Sequence, residues 1–167
     1  MMMDTKTLFD FHAYMASLVS ENRMAQERGF KPCTCTGISG LQGLLDDFQG
    51  TANFVASDDI TPGQTVQHGG GWFQRRSFTV FILMRYAFGD ERDRQQKLSL
   101  CRTLMRQFQS RLILDESRLQ SDLIYLGVDR MNTTDIGSHF LSGCTGLYFM
   151  INVDEPVDLS YNADEWL

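Results

Sequence analysis

Few residues in this 167-residue chain combine a reactive type with a spacing that chemistry would need. The nearest is Cys33-Thr34-Cys35, two thiols separated by one residue. Structural zinc sites favour roughly two to four intervening residues and a second ligand pair, and the sequence has no second pair. His12, His68 and His139 fall singly in three separate stretches, so no helix carries two histidines one turn apart. Carboxylates stand side by side as Asp46-Asp47, Asp58-Asp59, Asp115-Glu116 and Asp154-Glu155. Each pair falls at the end of an element or in a turn, where solvated acids and caps are the ordinary explanation. Gly69-Gly70-Gly71 runs into Trp72 and Phe73 without the Lys-Ser/Thr of a phosphate-binding loop, and a hairpin turn explains it better. No nucleophile-elbow serine or dinucleotide fingerprint is found. We therefore expect no catalytic residue, no cofactor and no metal, with free thiols at Cys33, Cys35, Cys101 and Cys144.

Periodicity gives the elements that would position these groups. Leu8, Phe11, Met15, Leu18 and Val19 share one face of a helix over residues 7–28, which Gly29 stops. Ser39 caps a short helix over 39–48, with Leu41, Leu44, Leu45 and Phe48 as its apolar side and Gly50 at its end. Residues 52–56 read as a strand and 65–68 as an edge strand. Residues 77–88 form the strongest strand: Phe78, Val80, Ile82 and Met84 alternate with Thr79, Phe81 and Leu83, so both faces are apolar. Such a strand must be covered on both sides, either by helices or by further copies of the chain. Gly89 closes it, and Asp90 caps a helix over 91–114 with Cys101, Leu104, Met105, Phe108 and Leu112 as its buried stripe. Strands follow at 123–128, 136–141 and 146–153, and Pro156 stops the sheet. The order predicts a single α+β domain over 1–167, with a long helix and an N-terminal helix packed on a mostly antiparallel sheet. Residues 154–167 form an acidic C-terminal extension.

Hydrophobic residues at 43% and charged residues at 22% fit a folded globular chain and exclude disordered, collagen-like and coiled-coil classes. The longest apolar run, 80–84, is far too short to cross a bilayer. Met1-Met2-Met3-Asp4 precedes no uninterrupted apolar core, so we expect no cleaved secretory signal. The net charge of −6 is unevenly placed. Residues 1–130 hold 15 acids and 15 bases, whereas 131–167 hold six acids and no Lys or Arg; within 75–118 ten bases face five acids. The basic middle could meet phosphate, but the field of the whole chain repels a polyanion, and we expect no sequence-specific nucleic-acid partner.

The run Trp72-Phe73-Gln74-Arg75-Arg76-Ser77-Phe78-Thr79-Val80-Phe81-Ile82-Leu83, the passage Tyr86-Ala87-Phe88-Gly89-Asp90-Glu91-Arg92 into a long helix, and the closing Tyr148-Phe149-Met150-Ile151-Asn152-Val153 together resemble the tail-terminator and minor tail proteins of long-tailed phages and prophages. The resemblance spans most of residues 7–153 and is one of element order and strand character. It implies a structural, non-enzymatic subunit that assembles as a ring, often a hexamer, on the end of a tail tube. The same resemblance implies other tail or head-completion proteins as partners, no membrane, and a place in the virion tail or, during assembly, the host cytoplasm. The short helix over 39–48 and the extension after Pro156 depart from the pattern.

Charge alone suggests how copies would meet. Arg102 and Arg106 stand one helical turn apart, and a head-to-tail contact would set this basic face against Asp154, Glu155 and Asp158 of the next copy, with Trp72 as a further residue of the contact. The alternatives are a small soluble ligand-binding domain or enzyme with a pocket under the glycine loop, and an adaptor that binds one partner through its acidic tail.

Overall fold

The computed structural model describes residues 9–47, 53–137 and 143–167. The expected helix start at Thr7, the Phe48 and Gly50 end of the second helix, Ala52, and residues 138–142 with His139 lie outside them. Asp10 caps α1 (Phe11–Glu21), accepting from the Ala13 N–H at 3.0 Å, and Phe11, Tyr14, Met15, Leu18 and Val19 are its buried side. Asn22 is extended, so the helix expected to run to residue 28 breaks there; its side chain caps α2 (Arg23–Glu27) by accepting from Ala25 N–H at 2.8 Å. A strand, β1 (Phe30–Cys35), follows where Lys31-Pro32 predicts only a break. Proline is tolerated because β1 is the edge of the sheet.

The second helix, α3 (Gly37–Asp47), starts two residues earlier than predicted, so Ser39 is not its cap. Gly37 N–H instead donates to Asp58 Oδ1 at 3.0 Å. β2 (Asn53–Asp58) lies parallel to β1, the one parallel pair among the described residues. β3 (Gly63–His68) and β4 (Gly71–Arg85) form a hairpin. Its turn residues Gly69 and Gly70 have φ of +54° and +87°, the positive values that a two-residue hairpin turn matched to strand twist requires. β4 therefore starts earlier than the predicted 77–88 strand and ends sooner, and Phe88 is fully exposed.

Asp90 caps α4 (Glu91–Ser121), as expected, accepting from Asp93 N–H at 3.0 Å. The helix runs about two turns beyond the predicted end at 114, because Asp115 and Leu119 are buried against the rest of the molecule. β5 (Tyr125–Leu126), β6 (Asn132–Ile136) and β7 (Cys144–Pro156) complete the sheet. The first is shorter and the second earlier than predicted, while Asp154 and Glu155 belong to β7 and not to a free extension.

The sheet order is β1-β2-β4-β7-β5, with β3 also on β4 and β6 also on β7, and it is mostly antiparallel. This is the predicted α+β architecture, with a long helix and an N-terminal helix on the sheet. Phe78, Val80, Ile82 and Met84 of β4 join Leu147, Phe149, Ile151 and Val153 of β7 in a core with α1 and α4. On the opposite face Phe81 and Leu83 pack with Phe54, Ala56, Cys35 and Leu41 of α3. Both faces of β4 are thus covered by the chain's own helices. At Gly146 the φ is +154° and an added Cβ would lie 1.9 Å from the Ile82 carbonyl oxygen, so only glycine lets β7 approach this closely.

A polar tie fixes α1 to α4. Tyr14 Oη donates to Asp115 Oδ2 at 2.7 Å, and Arg111 Nε donates to the same oxygen at 3.0 Å while its Nη2 reaches Glu21 at 2.9 Å. Burial, reinforced by the Asp115 carboxylate, raises the Tyr14 hydroxyl well above the ordinary tyrosine range. Among the described residues no helix is long and apolar enough to cross a membrane.

Leu104 and Phe108 are fully buried between α4 and the sheet. Replacing either by Ala should lower stability by about 2 to 5 kcal/mol, measured by urea unfolding. Losses below about 1 kcal/mol at both positions would detach this helix face from the core.

Candidate functional site

The six residues singled out for a subunit contact do not converge. Arg102 pairs with Asp135 of β6 in its own chain. Arg106, one turn on, is exposed and makes no ion pair among the described residues. Trp72 stands second in β4 opposite Gln67, 48% exposed, and its carbonyl accepts from Val157 N–H at 3.1 Å. Asp154 is only 4% exposed and cannot serve as acidic surface. Glu155, on the other face of β7, is half-buried and accepts from Phe9 N–H at 3.3 Å. Burial pushes its carboxyl up, against the pull of that N–H and of Arg76. Asp158 is exposed and closes a local turn by accepting from Ser160 N–H at 2.9 Å.

What the fold does assemble is a cluster around Asp154. The β4–β7 register sets Arg75 directly opposite it, and the guanidinium grips the carboxylate in a two-point contact, Nε to Oδ1 at 2.8 Å and Nη2 to Oδ2 at 3.0 Å. His68, at the tip-proximal end of β3, brings Nε2 to Oδ2 at 2.7 Å. Its ring stacks on Tyr125 of β5, with centroids 5.1 Å apart and planes at 21°, and Phe73 meets both rings edge-on. Burial alone would raise the Asp154 carboxyl, but the hydrogen bonds and charges of Arg75 and His68 hold it below the ordinary aspartate range. A cavity of about 340 Å³ opens beside the cluster, lined also by Asp129, Arg130 and Asn152.

His68 has the carboxylate partner that a general base would have, but a nucleophile must also lie within hydrogen-bond reach. Among the described residues no hydroxyl or thiol bonds to it, and the Ser77 hydroxyl of β4 donates instead to Asn152 Oδ1 at 2.6 Å. The arrangement acts as a clamp that fastens the β3–β4 hairpin to β5 and β7. Sequence reasoning missed it because Arg75, His68 and Tyr125 meet Asp154 only through strand register.

A second feature is a cleft of about 710 Å³ where the start of α1 faces β4 and the end of β7. His12, Arg76, Gln74, Asp59 and Glu155 line it, and the Nδ1 of half-buried His12 has no hydrogen-bond partner among the described residues. The four cysteines are free thiols, Cys33 half-buried and the other three buried. Burial pushes Cys33 up to about 11 and Cys35 and Cys101 up to about 12, with Asp58 adding to the effect at Cys35. Among the described residues no three His, Cys, Asp or Glu side chains are grouped to hold a metal ion.

Two outcomes follow. The Asp154 carboxyl titrates lower folded than unfolded, so its contribution is whole above the ordinary aspartate value near 3.9 and is lost as pH falls through the depressed folded value. Asp154→Asn should therefore cost about 1.5 to 3 kcal/mol at neutral pH, and the gap to wild type should close as pH is lowered from about 4 to 2; a gap that stays constant in acid would separate the clamp from stability. With thiolates suppressed by burial, a thiol reagent at about pH 8 should label Cys33 slowly and the other three only on unfolding. Labelling of all four at the rate of free cysteine would contradict the packing of β1 and α4. No family model matches this chain, and no curated protein matches it in sequence.

Proposed function

We propose that this chain is a structural subunit that associates with copies of itself, in the manner of the tail-terminator and minor tail proteins it resembles. In that role it forms a ring on the end of a phage or prophage tail tube, meets other tail or head-completion proteins there, and performs no catalysis. The element order behind the resemblance supports this: helix, strands, a long central strand, a long helix, then closing strands.

The observation that carries the reading is a pair of apolar patches that the fold leaves uncovered. Ile113 and Leu114 stand on the outer side of α4, and Leu159, Tyr161 and Trp166 stand on the segment after β7. The buried stretches of β4 and β7 are already roofed by the chain's own helices, and the outer patches are surfaces that association can use. The ligand-domain reading has one observation in its favour, the cleft at His12, and a small molecule that raises the melting temperature of wild type but not of His12→Ala would support it.

Light scattering after size exclusion, joined to negative-stain microscopy, tests the assembly. The expected result is a mass that rises above the 19.1 kDa of one chain with concentration, and closed rings in the images. A 19.1 kDa species at every concentration and salt would overturn it.

A further inference from the structure

The segment after β7 is built like a ligand. Asp158 closes a turn on Ser160, Asn162 accepts from Asp164 N–H at 3.0 Å to start a single 3-10 turn (Ala163–Glu165), and the rings of Tyr161 and Trp166 stack at 6.4 Å and 23°. These local bonds give the arm a definite shape. Even so, Leu159, Tyr161 and Trp166 are 52%, 76% and 68% exposed, so among the described residues nothing covers the aromatic pair. Aromatic side chains fixed in one arrangement lose little freedom on binding, which makes them efficient anchors. The arm's charges are Asp158, Asp164 and Glu165, with no Lys or Arg.

The outer side of α4 is the complement in both respects. Ile113 is 58% and Leu114 71% exposed on a helix whose other large apolar residues turn inward. Arg106 lies two turns before Ile113 on the same side, and Arg118 one turn after Leu114. Arg106 makes no ion pair among the described residues, and the nearest carboxylate to Arg118 is Asp115 at 3.9 Å. The apolar pair thus has a cation at each end, with half-buried Glu116 before Arg118, so Arg106 is the cation that faces no acid of its own chain among the described residues.

The geometry points to arm exchange: residues 158–167 of one copy lie across the outer side of α4 of a second copy, Tyr161 and Trp166 covering Ile113 and Leu114, and Asp164 and Glu165 facing Arg106. This rests on the self-association proposed above and assigns it a surface. The contact joins two different patches, so it runs head to tail and either closes a ring or extends without limit. The assignment keeps Arg106 of the expected basic face and drops Arg102, which Asp135 occupies, and it keeps the acidic arm but drops buried Asp154.

The full chain carrying Ser117→Cys on α4 and Ala163→Cys in the arm, oxidised and run on a non-reducing gel, decides the matter, since both positions are exposed and neither is one of the apolar anchors. A ladder of linked multimers that needs both substitutions is the expected result. A fast-migrating linked monomer overturns exchange in favour of the arm folding back on its own α4. No link in a preparation that scattering shows to be assembled overturns arm exchange and leaves self-association standing; no link in a preparation that stays monomeric removes both. In unlinked protein, Tyr161→Ala with Trp166→Ala should weaken association by about 30-fold, the scale of a buried aromatic anchor. Arg106→Glu should weaken it by about fivefold per contact, and adding Asp164→Lys with Glu165→Lys should regain the loss. A charge swap that regains nothing overturns the pairing with Arg106.

Discussion

The unbroken antiparallel pairing of Phe73 to Arg85 with Cys144 to Pro156 is the constraint from which the other elements take their places. Its two faces are both apolar, Val80 and Ile82 beside Phe149 and Leu147 on one, Phe81 and Leu83 on the other. Such a ladder is unstable in water until each face is roofed. α1 and α4 roof the first, and α3, brought into place between the parallel strands β1 and β2, roofs the second. The absence of a side chain at Gly146 follows from the same pairing, since a Cβ there would collide with the backbone of β4.

Two buried carboxylates then lock what burial alone leaves free to slide. Asp115 receives Tyr14 and Arg111 and sets the angle of α1 on α4; Asp154 receives Arg75 and His68 and sets the hairpin on β7 and β5. Apolar contacts are non-directional and tolerate a shift of a turn or a register. A buried carboxylate does not, because losing one partner leaves an uncompensated charge at a cost of several kcal/mol. Neither ion cluster need add much net stability to exclude the shifted arrangements.

The parts legible in the sequence are those whose cause is local. The start of α4 follows from Asp90 and the stripe through Leu104 and Phe108, and the centrality of β4 follows from its two apolar alternations. The end of α4 was hidden because Asp115-Glu116 resembles a pair of terminal acids, whereas Asp115 is held by Tyr14, 101 residues away in sequence. β1 was hidden because Lys31-Pro32 looks like a break until the strand is known to be an edge. Grouping Asp154 with the acids after Pro156 was reasonable by charge and wrong by register, which places it under Arg75. For the same reason the pairing of Arg102 with Asp135 could not be read from helix spacing.

The central ladder also sets an order of events in folding. The β3–β4 hairpin closes within its own stretch through Gly69 and Gly70, and α4 forms from its own turns, both fast local steps. β7 reaches β4 only after all of α4, β5 and β6 have been brought round, a long loop closure. Until then residues 80–84, uncharged and free of proline, show both sides to water in a conformation suited to pairing with any other strand. A stretch buried on both faces in the native molecule is thus an adhesive one beforehand, and the interval before β7 arrives is when it is open to the wrong partner.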